Sequence, residues 1–116
     1  MSNSISHLIA DYRNSAAAHG AATEVGDHKN ANKHHDRLTQ ELLQLRTSGS
    51  AGDQALLGLL NDENSWVRLW AASHLLRVYE DQARRTLEML SNGPGILAFD
   101  AQMVLSEWGK GTLKTP

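Results

Sequence analysis

Apolar residues recur at intervals of three and four along most of the chain, which is the spacing of an amphipathic helix. The clearest stretch is LLGLLNDENSWVRLWAASHLL, from Leu56 to Leu76, which reads as two apolar helices joined by a short polar turn. No window alternates apolar and polar residues as a strand would. The pattern therefore predicts an all-α fold of about six helices, arranged as a short stack of helical hairpins, an α-α superhelix.

The N-terminal half is predicted to contain two helices. The first covers about residues 4–19, and Gly20 is its predicted stop. The second begins at Ala22 or Asp27 and ends at Arg46, with a polar first half rich in histidine and asparagine.

The small polar segment TSGSAG, residues 47–52, predicts a linker. A two-helix arm over residues 1–47 is therefore expected to precede a pair of helical hairpins over residues 53–109, with residues 110–116 as a flexible tail. All belong to one domain, 1–116, because the chain is too short for two independent cores.

The C-terminal half is predicted to contain four helices, over residues 53–60, 65–79, 81–91 and 96–108. The second of these is apolar round most of its circumference and is expected to be the most buried. The last is expected to turn the following residues inward: Ile96, Phe99, Met103, Leu105 and Trp108.

Two segments repeat each other imperfectly. The two segments share a spacing of leucines, then a break, and then an apolar-x-x-Ala pattern in the second helix, at a period of about 30 residues. Their sequences are QALLGLLNDENSWVRLWAASHLL and ARRTLEMLSNGPGILAFDAQMVL. This resembles the HEAT repeat, in which an acid near the end of the first helix and a Val-Arg pair opening the second fix the turn. The positions that match are Asp62, Val67, Arg68, Ala71, Ala72 and Leu75.

The second unit lacks both the acid and the Val-Arg pair, which is typical of a capping repeat. In the first unit, Asp62 and Arg68 are expected to pair and pin the turn. Trp70, Phe99 and Trp108 are expected to have structural roles.

The strings NSWVRLWAASHLL and LAFDAQMVLSEWGKG also resemble a family of small bacterial HEAT-like proteins, classed as a domain of unknown function. Members of this class are similar to immunity proteins of polymorphic toxin systems. The resemblance implies a small cytoplasmic antidote that binds a delivered toxin domain and needs no catalysis or cofactor.

Composition agrees with a soluble binding protein. The chain has no cysteine, which excludes disulfides and sulfur-based zinc sites, and its net charge of −2 gives no general attraction for nucleic acid. It has no apolar run of the length a membrane span needs and no signal-peptide pattern at its start, so we expect a cytoplasmic protein with a protein partner.

Two sets of residues are candidates for the partner surface. Trp66 and Trp70 lie four residues apart on one helix, and both are expected in the core. Trp66 lies in the first turn of the helix and is therefore the one more easily exposed to a partner. With Ser73 and Arg77 it is predicted to edge a contact patch. The acidic candidates, which would meet a basic toxin, are Glu24, Asp27, Asp36, Asp62 and Glu63.

Three hypotheses follow from these observations. The first is an immunity protein that occludes a toxin. The second is a HEAT-like scaffold that binds endogenous proteins or self-associates. The third is a metal protein or enzyme built on His28, His34 and His35, which we do not favour because these histidines lack a familiar metal-ligand spacing and no catalytic motif accompanies them.

Overall fold

The structure is a computed structural model that describes residues 4–113. No strand is present in this range, so the predicted all-α fold of about six helices is confirmed. The helices are α1 (Ile5–Glu24), α2 (His28–Thr47), α3 (Ser50–Gly58), α4 (Ser65–Leu75), α5 (Glu80–Ser91) and α6 (Gly95–Lys110), and a short 3-10 helix (Leu59–Asn61) follows α3. Within residues 4–113, no helix combines the length and the hydrophobicity needed to cross a bilayer.

The first helix is longer than predicted. It begins after Ser4, whose hydroxyl accepts a hydrogen bond from the His7 N–H at 3.2 Å, and it continues to Glu24. The prediction that Gly20 stops this helix is wrong, because Gly20 is buried where α1 packs against α4. A Cβ atom at Gly20 would lie 2.1 Å from Cγ of Trp66. Glycine is therefore needed here for close approach between two helices.

The predicted linker over residues 47–52 is mostly helical. Only Ser48 and Gly49 separate α2 from α3, and Gly49 makes the turn with a left-handed φ of +66°. Gly52 lies within α3, where a Cβ atom would come 1.9 Å from the Leu45 carbonyl oxygen. The backbones of α2 and α3 therefore lie in close contact.

One continuous core joins the N-terminal helix pair to the remaining helices. α1 packs against α3 and α4 as well as α2, and α2 also contacts α3. The largest fully buried side chains of this core include Tyr12, Leu38, Leu42, Leu45, Leu56, Val67, Leu75 and Leu87.

Helix α4 lies at the centre of the molecule and packs against α1, α3, α5 and α6. Asn64 caps it, because its side-chain oxygen accepts hydrogen bonds from two N–H groups of the first turn at 2.9 and 3.2 Å. Val67, Ala71 and Leu75 are buried as the repeat pattern predicts. The helix ends at Leu75, four residues before the predicted end at Tyr79.

The side of helix α6 that faces the core differs from the side predicted. Its fully inward residues are Ala98 and Ala101, whose small side chains let the helix lie close to its neighbours. Ile96, Phe99 and Met103 were expected inward and instead face outward, with 43%, 60% and 44% of their surface exposed. We call these three residues the α6 row.

The C-terminal end of the described chain stays close to the core. Trp108 is half-buried against it, α6 continues to Lys110, and Gly111 ends the helix with a left-handed φ of +72°. Leu113 also packs against the core. The remainder of the predicted tail, residues 114–116, lies outside the described residues.

Candidate functional site

The turn before α4 is held by an ion pair that local spacing did not predict. Arg13 of α1 donates two hydrogen bonds to the two carboxylate oxygens of Asp62, at 2.6 and 3.1 Å. The carboxylate also accepts the Asn64 N–H at 2.9 Å. Hydrogen bonding from Arg13 is the main reason why the pKa of Asp62 is lowered. The expected pair of Asp62 with Arg68 is therefore wrong, since the bidentate partner comes from another helix.

Arg68 instead lines an open groove between the end of α3, the start of α4 and one side of α5. The groove has a volume of about 530 Å³, and its polar lining residues are Asn61, Arg68, Gln82, Arg85 and Thr86. None of the described residues that line it is acidic. We call this site the arginine groove, after Arg68 and Arg85.

The remaining lining of the arginine groove is apolar and consists of Leu57, Leu60, Met89 and Leu90. Met89 is the most exposed of these, and Leu90 belongs to the core. The groove thus combines two guanidinium groups with a hydrocarbon wall.

A second cluster surrounds Trp70, where three histidine rings lie within contact distance. The ring of His19 is 5.1 Å from Trp70, that of His35 is 5.4 Å and that of His74 is 5.5 Å. The Trp70 indole N–H donates to Nδ1 of His19 at 3.3 Å. Burial lowers the pKa of His19, and the neighbouring His35 lowers it further. Trp70 is therefore half-buried among three histidine rings.

His74 is the buried member of this cluster. Its Nδ1 forms a hydrogen bond of 2.7 Å with the hydroxyl of Tyr12, which is also fully buried. Burial lowers the pKa of His74 to about 3 and raises that of Tyr12 well above its usual value, so both side chains are neutral near pH 7. Among the described residues, no group of three potential ligands is placed to hold a metal ion.

The predicted contact patch around Trp66 does not form. Trp66 and Ser73 are only 7% and 5% exposed, so neither can edge a surface patch. The Trp66 indole N–H donates to Glu24 at 3.4 Å, and the Ser73 hydroxyl donates to the Leu69 carbonyl at 2.7 Å. Arg77 is exposed. The prediction failed because Gly20 opens a space in α1 that Trp66 fills.

The acidic candidates have different environments. Glu24, Asp36 and Glu63 are exposed, although Glu24 also accepts the Trp66 indole N–H, whereas Asp62 is bound to Arg13. Asp27 caps α2 by accepting the backbone N–H of Asn30 at 3.2 Å, and hydrogen bonds from Asn30 lower the pKa of Asp27.

Two surface features were missed by the sequence analysis. The α6 row had a visible signal, because Ile96, Phe99 and Met103 are spaced three and four apart, but the same helix carries a second apolar side centred on Ala98 and Ala101. The arginine groove had no comparable signal, because Arg68 and Arg85 come from different helices.

No family model matches the chain, and no curated protein matches it. The fold is similar to that in the crystal structure of the protein RPA1889 from Rhodopseudomonas palustris CGA009. The two are 25% identical, the match covers 97% of this chain and 94% of that chain, and the TM-score is 0.87. The two chains therefore share their arrangement of helices over nearly their whole length.

Proposed function

We propose that this protein is a non-catalytic binding module that docks a protein partner through the α6 row. The observation that supports the proposal is the outward position of Ile96, Phe99 and Met103 on the side of α6 opposite Ala98 and Ala101. Large apolar side chains that line up on one side of a surface helix are typical of a docking face. Phe99, the most exposed of the three, has the aromatic character of an interface anchor.

The most specific form of the proposal is a cytoplasmic immunity protein that binds a toxin domain and blocks its active or target-binding surface. The resemblance of NSWVRLWAASHLL and LAFDAQMVLSEWGKG to the small bacterial HEAT-like family supports this form. Occlusion requires no chemistry, cofactor or nucleic acid. The exposed carboxylates of Glu24, Asp36 and Glu63 would speed the capture of a basic toxin by electrostatic steering.

The experiment is affinity capture from the source cells with three forms of the protein: wild type, Phe99→Ser and Leu43→Ser. Leu43 is the matched control, because it is also a large apolar residue on the surface of a helix but lies on α2. We expect one stoichiometric partner with the wild type and with Leu43→Ser, and loss of that partner with Phe99→Ser. Equal capture by all three forms would contradict docking through the α6 row.

The toxin form needs a second measurement on the captured partner. We expect its isolated domain to arrest growth when produced alone and to be harmless when this protein is produced with it. A partner that is harmless in both conditions would contradict the immunity proposal while leaving protein binding intact.

The alternative is a scaffold that self-associates through the same row, because the outer side of a terminal hairpin in a helical stack must be capped or covered. Sedimentation over a range of concentrations distinguishes the two. A dimer that Phe99→Ser dissociates would favour self-association, and a monomer at all concentrations would exclude it.

A further inference from the structure

We propose that the arginine groove binds a small amphipathic anion, with a carboxylate or phosphate group held by Arg68 and Arg85 and a short alkyl body held by the apolar wall. The groove is formed by α3, the 3-10 helix, α4 and α5, and contains no residue of the α6 row. This inference is therefore separate from the proposed docking function.

The charges around the groove favour a bound anion. The salt bridges between described residues involve Arg13 with Asp62, and Arg84 with Glu80 and Asp81. Arg68 and Arg85 take part in none of these pairs, and no acidic side chain lines the groove they share within the described part of the chain. Asp62 lies close enough to Arg68 for the charge of Arg68 to lower the pKa of that carboxylate, but Asp62 is hydrogen-bonded to Arg13. Two guanidinium groups that share a groove without a salt-bridge partner favour an anion from outside the chain.

The hydrogen bonding of Arg68 is incomplete. One terminal nitrogen donates to the Ser65 hydroxyl at 2.7 Å, which fixes the orientation of the side chain. Its Nε atom is buried and has no hydrogen-bond partner among the described residues. A buried donor left unpaired is costly, so a small movement of the Arg68 side chain toward an anionic oxygen in the groove would be favoured.

The groove has the size and the lining of a small-molecule site. A volume of about 530 Å³ lies within the range of small-molecule sites in proteins, about 300–1,000 Å³. Leu57, Leu60 and Met89 supply apolar contact beside the arginines. The lining therefore favours an anion with a hydrocarbon chain over a bare inorganic anion.

The experiment uses the methyl groups of methionine as NMR reporters in the full-length protein. The chain has three methionines: Met89 lines the groove, Met103 belongs to the α6 row, and Met1 lies outside the described residues. The probes are octanoate, octyl phosphate, acetate, inorganic phosphate and neutral octanamide. We expect the two charged octyl compounds to shift the Met89 signal and leave Met103 unchanged.

The probes also test each half of the proposed ligand. Each buried methylene should tighten binding about fourfold, so octanoate should bind at least tenfold more tightly than acetate. The difference between octanoate and octyl phosphate identifies the preferred anionic group. Equal binding of octanoate and octanamide would overturn the role of the arginines, and no response at Met89 to either octyl anion would overturn the site.

Adjacent arginines on α5 provide the matched variants. Arg85→Gln removes a groove residue on the surface of the helix, whereas Arg84→Gln removes an equally charged neighbour that pairs with Glu80 and Asp81 instead. We expect Arg85→Gln to weaken octanoate binding about tenfold or more and Arg84→Gln to change it less than about twofold. Equal effects of the two variants would mean that only net charge matters, and would overturn the site.

Discussion

Replacing Gly20 by alanine tests the close approach of α1 and α4. A Cβ atom at this position would lie 2.1, 2.4 and 2.5 Å from Cγ, Cδ1 and Cβ of Trp66. All three distances are far below van der Waals contact, and none of these atoms is the far end of a flexible side chain. The ring of Trp66 must therefore move, or α1 must separate from α4.

The magnitude follows from two opposing effects. Overpacking of a core costs about 1–3 kcal/mol, and the severity of this contact places Gly20→Ala near the upper end. Alanine is favoured over glycine inside a helix by up to about 1 kcal/mol, which offsets part of that cost. We expect Gly20→Ala to lower the free energy of unfolding by about 1–2 kcal/mol, and the Tm of a domain of this size by several degrees.

The control is Gly109→Ala, which places the same substitution inside α6, where nothing lies within 4 Å of the new Cβ atom. This variant should be more stable than the wild type by up to about 1 kcal/mol, because only the helix preference acts. Urea unfolding followed by circular dichroism measures both variants. A Gly20→Ala protein as stable as the Gly109→Ala protein would refute the packing of α1 on α4.

A double-mutant cycle identifies the clashing partner. In the background of Trp66→Ala, the substitution Gly20→Ala should no longer be destabilising, because the ring that it would meet has been removed. A cost that persists unchanged in that background would place the clash elsewhere.

Three further predictions concern α4 and its contacts. Asp62→Asn should lower the free energy of unfolding by only about 1 kcal/mol at pH 7, because Arg13 is 41% exposed and its ion pair is partly screened. Because the pKa of Asp62 is lowered in the folded state, this stabilisation is present above the unfolded pKa of about 3.9 and is lost as the pH falls through the folded pKa. Urea unfolding at a series of acidic pH values should therefore show a weaker loss of stability with falling pH for the variant than for the wild type. The pKa of His74 is about 3 in the folded state and about 6.5 in the unfolded state, so the stability of the protein should fall progressively below pH 6.5 and level off near pH 3. His74→Gln should reduce this dependence of stability on pH. An unchanged dependence would contradict the burial of His74 as a neutral group. Asn64→Ala should lower the free energy of unfolding by about 1 kcal/mol through loss of the α4 cap. Asn64→Asp should keep most of the stabilisation by the cap, as measured by thermal unfolding.

Local patterns were sufficient to predict most of the fold. The three- and four-residue spacing of apolar positions predicts six helices, and the predicted breaks around Asn64 and Gly93 fall between helices in the structure. Helix ends were less predictable where glycine has two uses. Gly20 was interpreted as a stop, but it lies inside α1 because its missing side chain makes room for Trp66. Only the position of another helix distinguishes these uses.

The surface sites were harder to predict because they depend on contacts between distant residues. Arg13 and Asp62 are 49 residues apart, so spacing alone assigned Asp62 to the nearer Arg68. That error also hid the arginine groove, since a paired Arg68 would have no role there. The α6 row was misplaced because α6 has apolar residues on opposite sides, and only packing decides that Ala98 and Ala101 face the core.

The most direct test of the proposed docking function is a methionine-methyl NMR spectrum of the protein with its captured partner. Met103 lies in the α6 row and Met89 lies in the arginine groove, so the two signals report on different surfaces. Docking through the α6 row predicts a large shift or broadening of the Met103 signal, with Met89 unchanged. A partner that perturbs Met89 and leaves Met103 unaffected would contradict the account.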